Sequence, residues 1–209
     1  MGSMNNTRRA FFIGFLAMCF ALDSQAEAER VIANFSLKNS ENKMVSSENY
    51  EDAKGLIVVF TGNKCPMANL YTDRLNDLSE KYAEKSVFLL AINSLDTLVY
   101  KTESLLSMQK KVKEKGFAFP YLQDFTQIVS KQFGATYTPQ AFVIWKSEAG
   151  KWLVKYEGAV DDSALEPSKA NRFLEHAIDE LLENKKVSNP ITKSVGCRIY
   201  YRGEVVKMD

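Results

Sequence analysis

The sequence predicts an α/β fold in which helices cover both faces of a central mixed sheet, giving three layers. Two continuous apolar runs, residues 56–60 and 87–92, are rich in β-branched and aliphatic side chains, which is typical of strands buried on both faces. A helical pattern separates them, so a right-handed crossover makes the two strands parallel. A turn containing Gly150 joins two later strands, residues 141–145 and 152–156, which we expect to be antiparallel.

The remaining segments place helices and short strands around these four strands. One amphipathic helix follows Cys65 and extends to Tyr82, and another contains Leu105, Met108 and Val112. The other predicted elements are short strands at residues 31–37 and 43–45, an extended piece at 120–122, a brief helix ending near Gly134, and a last amphipathic helix containing residues 173–182. Alternating strands and helices of this kind indicate a sheet with helices on both faces.

The N-terminus has the pattern of a secretory signal peptide. Arg8 and Arg9 precede an apolar run at residues 10–22, and small residues stand at Ser24 and Ala26. The run is shorter than the ~20 residues needed to span a bilayer. We therefore expect residues 1–26 to be a signal peptide, 27–186 the folded domain and 187–209 a C-terminal tail. The mature protein would be exported, periplasmic and free of stable membrane insertion.

Composition excludes several classes of partner. A formal net charge of +1 gives no electrostatic reason to expect nucleic acid. The lysines at 110, 111, 113 and 115 are interpreted as a solvated helix end, because Gly116 follows as a stop signal. His176 is the only histidine, and no close cysteine pair accompanies it, so we expect neither a metal site nor a cofactor.

Cleavage after residue 26 would leave two cysteines, Cys65 and Cys197. Cys65 lies between a buried strand and a helix, and Pro66 suits the first helical position. The Cys65 sulfur should therefore lie beside free backbone N–H groups, which lower a thiol pKa and favour the nucleophilic thiolate. Far along the chain, Thr138-Pro139 precedes the strand at 141–145, which makes Pro139 a candidate cis-proline.

These motifs resemble a known superfamily. The segments at 60–68, 121–124 and 138–139 are similar to those of thioredoxin-like redoxins grouped with alkyl hydroperoxide reductase and thiol-specific antioxidant proteins. The likeness is to exported bacterial members with one Cys-Pro site and a C-terminal Gly-Cys motif, here within 195–199. The resemblance implies a thioredoxin-like fold. It also implies that Pro66, Thr138 and Pro139 contribute to substrate binding. The Thr138-Pro139 loop would lie against the active cysteine and offer backbone hydrogen bonds to an extended partner.

Two departures narrow the chemistry that this resemblance implies. Ala68 occupies the position of the second cysteine of a dithiol thioredoxin site, so Cys65 cannot form the usual local disulfide. Val58 and Gly62 stand where typical peroxiredoxins carry Pro and Thr. Cys197 is the remaining candidate resolving thiol; the alternative is a free or structural thiol on a tail that never approaches the site.

The predicted function is that of a thiol-dependent oxidoreductase in which Cys65 is the nucleophile. Its substrate would be a peroxide or a disulfide, and Cys197 or an external thiol reductant would resolve the intermediate. The alternative is a non-catalytic module of the same fold that binds a partner peptide or an assembly client along the Thr138-Pro139 edge.

Overall fold

The computed structural model describes residues 1–2 and 29–204, and the predicted signal peptide therefore lies almost wholly outside the described residues. The strands are β1 Val31–Ile32, β2 Ser36–Asn39, β3 Met44–Ser46, β4 Gly55–Thr61, β5 Val87–Asn93, β6 Tyr121–Gln123, β7 Tyr137–Thr138, β8 Gln140–Lys146, β9 Trp152–Gly158 and β10 Cys197–Arg198. The α-helices are α1 Pro66–Leu70, α2 Thr72–Ala83, α3 Leu105–Lys115, α4 Ile128–Phe133 and α5 Phe173–Leu182. Short 3-10 helices lie at Ser47–Tyr50, Lys101–Glu103 and Pro167–Lys169.

Eight of these strands form one mixed sheet in the order β1-β9-β8-β4-β5-β6-β2-β3. As predicted, β4 is parallel to β5, and β8 is antiparallel to β9. Successive side chains of β4 belong alternately to two hydrophobic cores, one on each face of the sheet. Ile57 and Val59 pack with α2, α3 and α5, whereas Val58 and Phe60 pack with α4 and the N-terminal strands. The three-layer arrangement expected from the sequence is therefore confirmed.

The prediction of a single N-terminal strand at residues 31–37 is wrong, because this segment forms two strands at different places in the sheet. β1 pairs with β9, and β2 pairs with β3 and β6. Five strands separate β1 from β2, which in a flat sheet would place them ~29 Å apart. The short connection through residues 33–35 spans at most ~14 Å, so the sheet must curl. Phe35 lies inside the curl and packs edge-on against Phe133.

The single helix predicted after Cys65 is also divided in two. The break falls at Tyr71, where the backbone dihedrals are φ −94° and ψ −3°. The Thr72 hydroxyl donates to the backbone oxygen of Asn69 across the break, at 3.2 Å. The apolar spacing does not reveal this break because Tyr71 stays buried, its hydroxyl donating to Asp161 at 2.9 Å.

The segment after residue 186 packs against the sheet rather than extending from it. Val187 and Ile199 are buried, and Ile191 forms a parallel bridge with Glu157 at the end of β9. Further on, β10 pairs with β7 in a separate two-stranded sheet. In the described part of the chain, none of the helices has the length and apolarity needed to cross a membrane.

Candidate active site

Cys65 lies where the loop after β4 enters α1. It is the N-cap of α1, and Pro66 occupies the first turn, as the sequence predicted. Its side chain is buried, with only 3% of its surface exposed. The backbone N–H of Ala68 points at the Cys65 sulfur from 3.5 Å. The first turn of this short helix therefore supplies a donor directly to the thiol.

The Thr138-Pro139 turn lies against Cys65. Its peptide bond is cis, as predicted, and Thr138 is completely buried. The Cys65 thiol donates to the Thr138 carbonyl oxygen at 2.9 Å. The predicted contact between the Cys-Pro motif and the Thr-Pro loop is therefore present, although 73 positions separate the two residues along the chain.

Cys197 reaches the same place through β10, where it stands directly opposite Thr138 in the antiparallel pair with β7. Gly196 makes this approach possible, because a Cβ there would lie 2.1 Å from the Thr138 carbonyl oxygen. Because the Cys65 thiol donates to the Thr138 carbonyl oxygen, this pairing brings Cys197 beside Cys65, and both cysteines are free thiols in this structure. The alternative, in which Cys197 lies on a tail that never approaches the site, is therefore wrong.

The two thiols have opposite proton affinities. Burial raises the pKa of the Cys65 thiol, but polar interactions with the side chains of Cys197 and Thr138 and with the Ala68 N–H outweigh burial and lower it below its usual range. Burial, together with the hydrogen bond and negative charge of Cys65, raises the pKa of Cys197 to about 12. Cys65 is therefore the thiol that ionises first, and its thiolate keeps Cys197 protonated.

A buried carboxylate holds the loop that precedes Cys65. Glu103 is only 2% exposed and accepts hydrogen bonds from the backbone N–H groups of Asn63 at 2.6 Å and Lys64 at 3.1 Å. It also accepts from the Asn93 side chain at 2.8 Å. This one side chain thus satisfies two loop N–H groups that would otherwise be buried without partners.

Lys111 is the second residue behind this loop, and its interpretation as part of a solvated helix end is wrong. It is only 8% exposed, and its ammonium group donates to the Gly62 carbonyl oxygen at 2.7 Å. Burial lowers the pKa of Lys111 to about 8, although the charges of Glu103 and Cys65 partly oppose this. A helical spacing argument could have found it, since Lys111 is three residues from the buried Met108 on the same face of α3.

The interaction between Lys111 and Cys65 predicts a specific pH dependence. A Lys111→Met variant loses the positive charge that favours the Cys65 thiolate. At pH 7 we expect its alkylation by iodoacetamide to be about 3 to 10 times slower, since one pKa unit changes the thiolate fraction tenfold. Because Lys111 loses its proton near pH 8, the difference should be present below pH 8 and vanish above it. Mass spectrometry of the Cys65 peptide measures these rates.

Lys110→Met is the matched control for this experiment. Lys110 is the adjacent residue on α3, and its side chain is 76% exposed. We expect its alkylation profile to follow that of the wild-type protein across the pH range. Equal profiles for all three proteins would show that Lys111 has no electrostatic influence on Cys65.

Position 62 lacks the side chain that peroxide activation would need. A Cβ at Gly62 would lie 2.5 Å from the Leu95 side chain. A threonine at this position would therefore require Leu95 to move. The loop is therefore packed to fit the glycine that the sequence has at this position in place of threonine.

With this geometry in view, comparison with known proteins identifies the family. The sequence model of the AhpC/TSA family matches residues 28–155 of this chain. The chain belongs to the AhpC/TSA family. A thiol-disulfide oxidoreductase ResA from Halalkalibacterium halodurans is 26% identical over 152 residues, which cover 73% of this chain and 81% of that protein. Family membership and this relative support the predicted class, that of a thiol-dependent oxidoreductase.

Solved structures related to this AhpC/TSA family chain confirm the fold. An uncharacterized conserved protein from Geobacillus kaustophilus shares 29% identity with a TM-score of 0.76, covering 85% of this chain and 93% of that one. The peroxidoxin BcpB from Mycobacterium tuberculosis aligns with a TM-score of 0.53 at 17% identity, covering 74% and 93%. These matches confirm the predicted thioredoxin-like arrangement.

Proposed function

We propose that this protein is a thiol–disulfide oxidoreductase in which Cys65 is the nucleophile and Cys197 the resolving thiol. The observation that carries the proposal is that both cysteines meet at Thr138: the Cys65 thiol donates to its carbonyl oxygen, and Cys197 stands opposite it in the pair of β7 and β10. Their pKa values lie on opposite sides of the ordinary thiol value. Cys65 is therefore the thiol that ionises and attacks first, and Cys197 stays protonated until then.

The first step is attack of the Cys65 thiolate on one sulfur of a substrate disulfide. A bond forms between Cys65 and that sulfur, and the substrate's other sulfur leaves as a thiolate that takes up a proton. The Cys197 sulfur then attacks Cys65, releasing the second half of the substrate and closing a Cys65–Cys197 disulfide. The substrate disulfide is reduced by two electrons and the protein dithiol is oxidised. An external thiol reductant would restore the dithiol.

The order of the two attacks follows from electrostatics. While Cys65 is a thiolate, burial together with the Cys65 charge holds the pKa of Cys197 at about 12. Formation of the mixed disulfide removes that charge. The pKa of Cys197 should then fall, so that the second nucleophile becomes available only after the first has reacted.

Two observations favour disulfides over peroxides and over a non-catalytic role. The peroxidase positions hold Val58 and Gly62, which bring no hydroxyl group toward the sulfur. The edge of β7 that a non-catalytic module would offer to a partner is already paired with β10. The site therefore has the groups for thiol exchange, and its peptide-binding edge is filled.

The same proposal includes export from the cytoplasm. The basic residues and apolar run within residues 1–26 support cleavage and secretion. A compartment outside the cytoplasm, such as the periplasm, is one where exchange between thiols and disulfides has substrates.

The test of the proposed function is trapping of the intermediate. In a Cys197→Ser variant the first attack proceeds and the second cannot, so we expect a mixed disulfide on Cys65 to accumulate to near one equivalent. Intact-mass spectrometry after reaction with a small aromatic disulfide measures this adduct. The wild-type protein should instead show loss of two hydrogens and no adduct.

The Cys65→Ser variant serves as the control for trapping. It keeps Cys197, so any adduct formed on this protein would report reaction of Cys197 alone. We expect less than about a tenth of the adduct seen with Cys197→Ser, because burial, the largest cause of the raised pKa of Cys197, remains in this variant although the charge of Cys65 is gone. An equal adduct on both variants would reverse the assigned roles.

A further inference from the structure

β10 occupies the edge of β7 on which an extended peptide would lie. Cys197 and Arg198 pair with Thr138 and Tyr137, and Gly196 lies against the Thr138 carbonyl group. These contacts leave the Cys65 sulfur almost fully covered. A substrate peptide cannot add to this edge as a strand while β10 is in place.

The segment that carries β10 is fixed on both sides of the site. Before it, Thr192 donates its backbone N–H to the Glu157 oxygen at 3.0 Å, and its hydroxyl lies 2.6 Å from that of Tyr156. After it, Ile199 donates to the Thr136 oxygen at 2.8 Å. Further hydrogen bonds join Gln127 to Tyr200 at 2.9 Å and to Arg202 at 2.8 Å. Removing β10 from the edge would break several of these bonds.

A cleft of about 390 Å³ borders the site on another side. Met67 of α1, Pro139 of the cis turn and Val195 before β10 contribute to its walls, and so do Ala164 and Phe173. Its volume lies within the range of about 300–1,000 Å³ that is typical of small-molecule sites. The cleft thus borders the three segments that hold Cys65 and Cys197, and its walls are formed by neighbours of the two cysteines, not by the cysteines themselves.

The charge of the cleft favours uncharged ligands. Asp161 lies in its wall, but this carboxylate is paired with Arg74 and accepts the Tyr71 hydroxyl at 2.9 Å. Asp162 and Lys193 add one charge of each sign to the wall, and most of the other lining side chains are apolar. A small ligand with uncharged arms would bury apolar surface here without separating an ion pair.

We infer that the substrates of this site are low-molecular-weight disulfides with uncharged arms, which enter through this cleft, and not disulfides within extended polypeptides. The inference rests on the proposed function, and it adds the substrate class. The chemical step is the one given above: Cys65 forms a bond to one sulfur of the small disulfide, and the other sulfur leaves as a thiol.

The test compares two disulfides on the full-length reduced protein. Bis(2-hydroxyethyl) disulfide is the small probe, and an unstructured peptide containing one cystine is the polypeptide probe. Oxidation of the protein is followed by acid quenching and mass spectrometry, and each rate is divided by that of free 2-mercaptoethanol with the same disulfide. We expect the normalised rate to be at least about tenfold higher for the small probe, because the peptide must first displace backbone hydrogen bonds.

Two point variants locate the entry route. Ala164→Trp narrows the cleft and should lower kcat/KM for the small disulfide by about fivefold or more. Leu165→Trp is its control, because Leu165 is 79% exposed and does not line the cleft. In a Gly196→Val variant the added side chain should push β10 away from Thr138. We expect this variant to raise the normalised rate for the peptide, and so to bring the rates of the two probes closer together.

The outcomes separate the two proposals. If the peptide reacts as fast as the small disulfide in the wild-type protein, or if the two tryptophan variants behave alike, the substrate class is wrong while the proposed function stands. If neither disulfide oxidises the protein faster than it oxidises the free thiol, the proposed function and this inference both fail.

Discussion

A Cys65→Ser variant is expected to reduce disulfides at least about a thousandfold more slowly than the wild-type protein. A serine hydroxyl remains protonated at neutral pH and does not attack sulfur, so the first step loses its nucleophile. Cys197 is a poor replacement, because its burial still raises its pKa after the charge of Cys65 has been removed. The loss should therefore appear in the reaction of the enzyme with its first equivalent of disulfide.

Single-turnover reduction of a small disulfide, monitored through release of its thiol, measures this loss. Cys197→Ser is the comparison, since it should keep the first release at a rate near that of the wild-type protein. A circular-dichroism melt of each variant establishes that both are folded. Retention of more than a tenth of the wild-type rate by Cys65→Ser would mean that another group starts the reaction.

A Glu103→Ala variant is expected to lower the free energy of unfolding by about 3–5 kcal/mol. Glu103 supplies the nearby negative charge that favours the buried ammonium group of Lys111, although the two side chains form no direct ion pair, and its removal leaves that ammonium group without compensation. The N–H groups of Asn63 and Lys64 also lose their acceptor. The damage should be centred on the loop before Cys65, so Cys65 should also become more accessible to alkylation.

Urea unfolding followed by tryptophan fluorescence measures the change in stability. Glu114→Ala is the control, because Glu114 lies on α3 with a side chain that is 57% exposed and an ion pair of 3.7 Å to Lys110. We expect this control to change the free energy of unfolding by less than about 0.5 kcal/mol. If both variants unfold at the same urea concentration, Glu103 does not support the loop.

The parts of the site that the sequence predicted are those with local signals. A buried strand followed by Cys-Pro places Cys65 at the start of a helix, and Thr138-Pro139 before another strand indicates a cis turn. Each of these needs only a few neighbouring residues and their backbone preferences. The confirmed parallel and antiparallel pairs likewise follow from the lengths of the connections.

The parts that could not be predicted depend on distant packing. Nothing near Cys197 in the sequence indicates that it lies opposite Thr138, because that register is set by contacts on both sides of β10. The division of residues 31–37 depends on the curl of the whole sheet. The solvated helix end predicted for Lys111 is wrong although a lysine is rarely buried, because the Gly62 carbonyl group and the nearby charge of Glu103 make its burial tolerable.

The meeting of Cys65 and Cys197 also links the redox state of the protein to its resistance to unfolding. The two residues are about 130 positions apart, so their disulfide would close most of the domain into one covalent ring. In the chain-entropy account such a ring destabilises the unfolded chain by about 4–5 kcal/mol. By linkage, whatever the disulfide adds to the stability of the fold makes the dithiol a stronger reductant. The energy that holds the C-terminal strand in place would thus help to set the direction of electron flow.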